Sequence, residues 1–325
     1  MKGIFFSLLS LFVCGTVFAD PLDLNTALQN TYRACVDIDD NLHELKVLAG
    51  VNTGVSAVGT GLGVGATAAG LAKAHIDKEI EQLFIEIRDL SNEYQGDDPT
   101  EEEKQDWYQQ IVVAIDNIDW KDPKIIEKEN QEIKRLKELN DQYVDKEAKS
   151  KKLGNWRTGL LAGNTVTNVA GAIISSKTIN KHDLQDQIDA CISAAKNLNN
   201  AIIVAKMNDE YVGEAQDIYE ACREFEYVDI SSINKRGTGS MIASSVGAGL
   251  GGIGTVTSGV ANSDKIRNEN SDAGREKEKN LNTAANVLSV GATVASATAL
   301  VFKATQVSAI KKVATVAQKC TEVLK

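Results

Sequence analysis

Four long stretches without a charged residue constrain this chain more than any other feature. They cover residues 47–72, 158–176, 237–263 and 280–302 and hold 26, 19, 27 and 23 residues. The chain carries only 3 prolines in 325 residues, so long helices run uninterrupted through all four. The stretches therefore predict four long helices whose sides face either lipid or another helix.

Small residues recur in these stretches at steps of four. Residues four apart share a face of an α-helix, so we expect a smooth groove along each helix in which a second helix packs closely. This spacing resembles the glycine zipper, a helix-packing motif. The candidate helix-packing residues are Gly61, Gly65, Gly159, Gly163, Gly171, Gly239, Gly247, Gly251, Gly259, Ala285 and Ser289.

The predicted fold is all-α, with two long antiparallel helical hairpins at residues 20–205 and 206–325. The first hairpin is extended by a charged stalk at residues 75–155, where apolar residues alternate spacings of three and four among charges, as in a coiled coil. One side of this seam comprises Ile76, Ile80, Leu83, Ile87 and Leu90, and the returning helix offers Ile126, Ile133, Leu136 and Tyr143. The dipeptides Asp98-Pro99 and Asp122-Pro123 predict helix starts that bracket a short helix around Trp107.

The first nineteen residues have the pattern of an export signal. Lys2 precedes an apolar run at residues 4–13, and Val17-Phe18-Ala19 forms a cleavage site of small residues. We expect removal of residues 1–19 and residence in the periplasm or cell envelope, or secretion. A lipoprotein signal at Cys14 is the alternative, although such signals prefer a small residue before the cysteine and Val13 is large.

Four cysteines remain after this cleavage, and in an exported chain they predict two disulfides. Cys35 precedes the midpoint of the first stretch by 24.5 positions, and Cys191 follows that of the second by 24. The offsets of Cys222 and Cys320 from the third and fourth midpoints are 28 and 29. Equal offsets on antiparallel helices favour Cys35 with Cys191 and Cys222 with Cys320. The pairing of Cys191 with Cys222 and Cys35 with Cys320 remains open.

No residue pattern points to catalysis. His43, His75 and His182 are far apart and lack metal-ligand spacing, and neither GxxxxGK[ST] nor GxSxG occurs. We therefore expect no enzyme, no metal, no cofactor and no small-molecule substrate. The net charge of −10 argues against a nucleic-acid partner, which needs a basic face.

The remaining question is whether lipid or water surrounds the stretches. Their length and four-spaced small residues favour a membrane, whereas Asn164 and Asn168 and the scarcity of Leu, Ile and Phe argue for water. Our hypothesis is a non-enzymatic envelope protein that associates with or inserts into a membrane and presents its stalk to a protein partner. The zippers or the stalk could also mediate self-association. The alternatives are a soluble structural bundle and a membrane-perforating effector.

Overall fold

The computed structural model describes residues 23–93, 130–179, 182–267 and 272–325. These residues are almost entirely helical. The helices are α1 Leu24–Cys35, α2 Ile38–Glu93, α3 Asn130–Ile179, α4 His182–Met207, α5 Gly213–Cys222, α6 Ser231–Ala261, α7 Asp264–Arg267 and α8 Asp272–Leu324, with a 3₁₀ helix at Arg223–Tyr227. The expected all-α class is confirmed. The export signal, the Asp-Pro dipeptides, Trp107 and Ile126 lie outside the described residues.

The chain divides into two compact units, and each combines segments from both halves expected from the sequence. The disulfide unit comprises residues 1–44, 181–230 and 310–325, and the bundle unit comprises residues 45–180 and 231–309. All four uncharged stretches belong to the bundle unit. The sequence analysis assigns residues 20–205 and 206–325 to different hairpins, because spacing along the chain reports only local neighbours. In the structure, the bundle unit combines the uncharged helices of both halves.

The disulfide unit has an ordinary apolar core. Helices α1, α4 and α5, the first turns of α2, the 3₁₀ helix and the last turns of α8 bury large aliphatic and aromatic side chains. Among them are Leu42, Ile188, Leu198, Phe225 and Ile310. Two disulfides tie these helices together.

Among its described residues, the bundle unit contains four long helices, α2, α3, α6 and α8, and the short α7. Each long helix is antiparallel to its two neighbours. Asn52 of α2 meets Ser175 of α3 towards one end, and Asp77 of α2 meets Ser150 of α3 towards the other. The same reversal relates α3 to α6, α6 to α8, and α8 to α2. Contacts that show it are Ser175–Ser240 with Thr158–Ser258, Gly239–Phe302 with Gly254–Leu288, and Lys303–Ser56 with Thr67–Ser289.

Each bundle helix buries a single seam whose positions alternate spacings of three and four. This period of 3.5 keeps a seam on one side of a helix over its full length, as in a coiled coil. A step of four turns about 40° further at every repeat, so the stripes chosen from the sequence drift off the buried side. The buried seam of α6 shows the pattern: Ile233, Gly237, Ser240, Ser244, Gly247, Gly251, Gly254, Ser258 and Ala261.

The stalk continues α2 and α3 beyond the uncharged stretches. Its small apolar core contains Leu83, Ile87, Leu136 and Leu139, with Leu90 and Tyr143 packed against it. The side chain of Ile133 lies outside those described. Of the seam residues expected from the sequence, Leu83, Ile87, Leu90, Leu136 and Tyr143 therefore pack together in the described part of the stalk.

Candidate functional site

The outer face of the bundle unit is apolar. Large hydrophobic side chains project from all four helices and are at least one-third exposed. They are Val47, Val51, Val58, Val64, Leu71, Trp156, Val166, Val169, Ile173, Ile242, Val246, Ile253, Val256, Val260, Val287, Val290, Val294, Val301 and Phe302. A soluble monomer rarely exposes so large a continuous apolar surface.

Charged side chains are missing from this outer face over a height that suits a lipid bilayer. On α3 the exposed charges nearest the middle are Lys152 and Lys177, because Arg157 between them is fully buried. The 24 residues at positions 153–176 therefore form the charge-free side of this helix. At 1.5 Å per residue they span about 36 Å, against roughly 30 Å for the hydrocarbon core of a membrane.

The inner seams are made of small and polar residues instead of large apolar ones. Asn, Ser and Gly dominate, together with three buried cations, and Leu161 is the one large aliphatic residue near the middle of the described seams. The seam of α2 comprises Leu45, Ala49, Asn52, Ser56, Gly59, Gly63, Ala66, Gly70 and Lys73. That of α3 comprises Ser150, Gly154, Arg157, Leu161, Asn164, Asn168, Gly171, Ser175 and Thr178. The unit is thus inverted relative to a soluble domain, in which apolar residues lie inside.

Hydrogen bonds between helices hold the polar interior together. In the middle of the bundle, Asn168 Nδ2 donates to Ser296 Oγ at 2.8 Å, and Ser296 Oγ donates to Asn164 Oδ1 at 3.0 Å. Nearer one end, Ser175 Oγ lies 2.7 Å from Ser240 Oγ and accepts a bond of 2.8 Å from Asn52. Side-chain amides and hydroxyls therefore link different helices at successive levels of the bundle.

Two of the buried cations, Lys73 and Arg157, have polar partners for their charge or for their N–H donors. Lys73 Nζ lies 2.7 Å from Asp77 Oδ2 and 3.3 Å from Glu278 Oε1, so two carboxylates neutralise it. The Arg157 guanidinium donates to three neutral oxygens instead. The three acceptors of Arg157 are Ser258 Oγ at 2.8 Å, Asn286 Oδ1 at 2.9 Å and Asn282 Oδ1 at 2.8 Å.

The predicted helix-packing residues fall into three groups. Gly171, Gly247, Gly251, Ala285 and Ser289 lie on the buried seams. Gly65, Gly163 and Gly239 are half-buried between neighbouring helices, where a Cβ would stand 3.3 Å from Leu160, 3.1 Å from Leu62 and 3.0 Å from Phe302. Gly61, Gly159 and Gly259 face outward: a Cβ on the first two would meet nothing within 4 Å, and one on Gly259 only Thr158 Cγ2 at 3.9 Å.

Seam glycines that lie off the four-residue steps make helix contacts about as close as those of Gly171 and Gly251. A Cβ on Gly63 would stand 2.8 Å from Thr293 Oγ1 and 3.2 Å from its Cα, which is closer than side chains tolerate. A Cβ on Gly59 would stand 2.6 Å from Thr167 Oγ1. The 3.5-residue repeat of Gly, Ser and Asn, opposite a stripe of Val and Ile, is the sequence signal that identifies these positions.

Ion pairs bind the stalk helices to each other. Lys146 Nζ donates to Glu79 Oε2 at 2.7 Å, and this bond lowers the pKa of the Glu79 carboxyl below its ordinary value. Arg135 Nη2 donates to Glu86 Oε1 at 2.7 Å. Both pairs are exposed or half-exposed, so they give direction to helix pairing more than stability.

The four cysteines form two disulfides, Cys35–Cys191 and Cys222–Cys320, which are the pairs that the sequence offsets favour. The sulfur atoms of Cys35, Cys222 and Cys320 all lie within 4.8 Å of one another, so the two disulfides are neighbours in one core. The cysteine offsets predict one disulfide at the open end of each hairpin. They give only the position of each cysteine along its helix, so they do not indicate that the two disulfides are neighbours. Paired disulfides are typical of an oxidising, exported environment.

Two described helical segments, Leu24–Leu90 and Ala273–Leu324, are long and apolar enough to cross a membrane. Core helices of soluble proteins pass the same test when most of their residues are buried. In each segment, 33% of the most apolar 18 residues are buried.

Comparisons with protein families, with curated proteins and with solved structures found no match to this chain.

Proposed function

We propose that the bundle unit is a membrane-spanning four-helix bundle in a non-enzymatic, exported protein of the cell envelope. The stalk then projects from the lipid and offers a charged, helical surface to a protein partner. One observation carries this proposal: the bundle unit has its apolar side chains outside and its polar side chains inside, while the disulfide unit of the same chain has the opposite arrangement.

A lipid environment removes the free-energy cost of exposing the apolar outer face to water. Complete burial of a valine or isoleucine contributes roughly 1.5–3 kcal/mol, and each outer-face side chain forgoes part of that contribution when it stays in water. A bilayer removes all nineteen large apolar side chains named above from water at once. Insertion requires an outer face without charge over about 30 Å, and the four uncharged stretches meet this requirement.

The polar seams fit the same environment. Asn164 and Asn168 weigh against lipid when they are read as residues of an isolated helix, since each would place an amide in hydrocarbon. Both are buried among neighbouring helices, where their side chains bond to each other and to Ser296. Hydrogen bonds and small residues at helix interfaces are the usual basis of helix association in membranes, where the hydrophobic effect between helices is lost.

The buried cations agree with this proposal as well. Charged residues within membrane helices face the interior of a bundle and bond to other polar groups there. Lys73, Arg157 and Lys303 are each 0% exposed, and each is the charged residue at one border of an uncharged stretch. Their inward placement keeps the outer face neutral.

Lipid contact is tested directly by Trp156, which is 62% exposed on the outer face of α3. It lies 8.5 residues from the centre of the charge-free side, so about 13 Å from the mid-plane. Trp107 and Trp120 are first replaced by Phe, leaving one fluorophore. We expect lipids brominated near the headgroup end of their acyl chains to quench Trp156 strongly.

A matched variant carries its single tryptophan at Val144, on the stalk portion of the same helix, with Trp156→Phe. We expect this variant to remain unquenched in the same vesicles. Carbonate washing of membranes supplies the coarse test: release of the wild-type chain into the soluble fraction, together with an unquenched Trp156, would reject insertion and favour the soluble bundle.

A further inference from the structure

The two disulfides of the disulfide unit bring three sulfur atoms into one group. The Sγ atoms of Cys35, Cys222 and Cys320 all lie within 4.8 Å of one another, and we call these three residues the sulfur cluster. Cys191 Sγ is bonded to Cys35 but lies outside the cluster. Cys35 is therefore a near neighbour of both sulfur atoms of the other disulfide, and Cys191 is not.

Short distances between sulfur atoms favour thiol–disulfide exchange. In this reaction a thiolate attacks one sulfur of a disulfide, forms a new bond to it and expels the other sulfur as a thiolate. Within the cluster the attacking atom starts within 4.8 Å of its target and has to reach a bond length of about 2.05 Å. Cys35 and Cys222 are the last residues of α1 and α5, so they can move with their helix ends while the rest of each helix stays packed.

Burial decides which reaction follows the first cleavage. Cys191, Cys222 and Cys320 are 0% exposed and Cys35 is 1% exposed, so a thiol from solution reaches them only when the unit opens locally. After the unit closes again, a freed thiolate in the cluster has a disulfide beside it at a far higher effective concentration than any thiol in solution provides. Exchange inside the cluster therefore precedes a second attack from outside.

We propose that the sulfur cluster is a thiol–disulfide exchange site that accepts a small thiol and leaves it on Cys191. The thiolate of the small thiol attacks Cys191 Sγ, forms a mixed disulfide there and expels Cys35 as a thiolate. The Cys35 thiolate then attacks Cys222 or Cys320, forms a disulfide with it and expels the other one as a thiolate. No electrons are gained or lost overall: the small thiol is consumed, one protein thiol takes up its proton, and two disulfide bonds are present before and after.

The position of Cys191 outside the cluster makes it the end point of the exchange. Every disulfide that can form within the cluster leaves Cys191 without a protein partner, and only the bond to Cys35 occupies it. Exchange therefore removes the disulfide that ties α4 to α1, while the cluster keeps a disulfide among α1, α5 and α8. This proposal concerns the disulfide unit and holds whether lipid or detergent surrounds the bundle unit.

The first test treats the full chain in detergent micelles with a series of glutathione concentrations, followed by acid quenching, alkylation of free thiols and mapping of disulfide-linked peptides. We expect links from Cys35 to Cys222 or Cys320 beside the native pairs, and no link from Cys191 to either of these two. We expect roughly tenfold more glutathione on Cys191 than on any cluster cysteine, because a neighbouring protein thiol at a millimolar or higher effective concentration displaces glutathione from the cluster but does not reach Cys191. In strong urea every pairing of the four cysteines should appear.

Two matched variants separate the position of a thiol from the loss of a disulfide. Cys191→Ser and Cys35→Ser both remove the same disulfide, but the remaining thiol is Cys35 inside the cluster in the first and Cys191 outside it in the second. Without any added thiol, we expect alkylation of Cys191→Ser at all three cluster cysteines. We expect alkylation of Cys35→Ser at Cys191 alone, with the Cys222–Cys320 disulfide intact.

Two results would overturn the proposal. The first is a wild-type map without urea that shows only native pairs at every glutathione concentration, or that shows links from Cys191 to Cys222 as often as links from Cys35 to Cys222. The second is a folded Cys191→Ser variant alkylated at Cys35 alone. If a variant does not fold, as judged by circular dichroism, the wild-type map decides by itself. Neither result depends on whether Trp156 is quenched in vesicles, so this proposal and the membrane proposal fail separately.

Discussion

A single aspartate on the outer face separates lipid from water as the surroundings of the bundle. Val166 is 68% exposed on α3 and lies 1.5 residues from the centre of the charge-free side, so about 2 Å from the mid-plane of the proposed bilayer. Val144, on the stalk portion of the same helix, is 55% exposed and stands 22 residues away, about 33 Å along the axis. Val166→Asp and Val144→Asp make the same chemical change at the two depths.

The expected effects differ by a factor that is easy to measure. At the centre of a membrane helix an aspartate costs about 2.5–3.5 kcal/mol, and its short side chain does not reach the headgroups. That cost lowers the ratio of inserted to uninserted protein roughly 60- to 300-fold. In water an exposed substitution changes stability by within about 0.5 kcal/mol. Helix propensity changes equally in the two variants and cancels in their comparison.

The assay is cell-free synthesis in the presence of vesicles, followed by carbonate washing and by urea titration of the protein that stays bound. We expect Val144→Asp to match the wild type and Val166→Asp to lose most of its carbonate-resistant fraction or to unfold at much lower urea concentration. Equal behaviour of the two variants, with both folded, would refute the inference of an apolar outer face in lipid.

Three further predictions follow from the packing, the stalk and the disulfides. Gly63→Ala should destabilise the bundle by about 1–3 kcal/mol through overpacking, whereas Gly61→Ala, on the open side of the same helix, should stabilise it by up to about 1 kcal/mol; urea midpoints that move the same way would contradict this. Lys146→Met should raise the pKa of Glu79 towards its ordinary value, as measured by an NMR titration. A lowered carboxyl pKa contributes stability above the unfolded-state pKa, and this contribution is lost as the pH falls through the folded-state pKa. The wild-type stalk should therefore lose more stability on acidification than the variant does. Cys191→Ser removes a disulfide that closes a loop of 156 residues, and it should lower the free energy of unfolding by about 2–5 kcal/mol. We expect the bundle unit to keep its helices, so the helical circular dichroism signal of the folded variant should match that of the wild type.

Part of the fold follows from the sequence because its signals are local. Uncharged stretches, few prolines and alternating apolar residues in the stalk predict long helices, and helices are what the described chain contains. The cysteine pairs also follow, since equal distances from the stretch midpoints place paired residues at equal heights on antiparallel helices.

The register of the buried seams cannot be predicted from a four-residue spacing of small residues. Small residues are so frequent in the stretches that steps of four and steps of three and four both find a series. Gly61 and Gly171 satisfy the first rule equally well, yet one faces outward and the other is buried. The distinguishing information lies in the large residues: a Val or Ile stripe marks the outer face, and Asn or Ser opposite it marks the inner one.

The joining of four helices into one bundle depends on contacts between residues far apart in the chain. Arg157 illustrates this, because its three oxygen partners come from α6 and α8, between 101 and 129 positions away. Considered within its own helix alone, Arg157 is only a charged residue at the edge of an uncharged stretch. Only the assembled bundle shows that the sequence provides it with acceptors.

The polar seams have a consequence for how such a bundle reaches a bilayer. Taken alone, α3 would carry the Arg157 guanidinium into hydrocarbon without its acceptors, and it would leave Asn164 and Asn168 with hydrogen bonds only inside their own helix. The partners of these side chains on α6 and α8 are synthesised more than a hundred residues later. Helix-by-helix delivery by a translocation channel is therefore disfavoured at this point of the chain. We expect the four helices to meet one another first and to enter the membrane as a preassembled body, with the time of entry set by completion of the C-terminal helix.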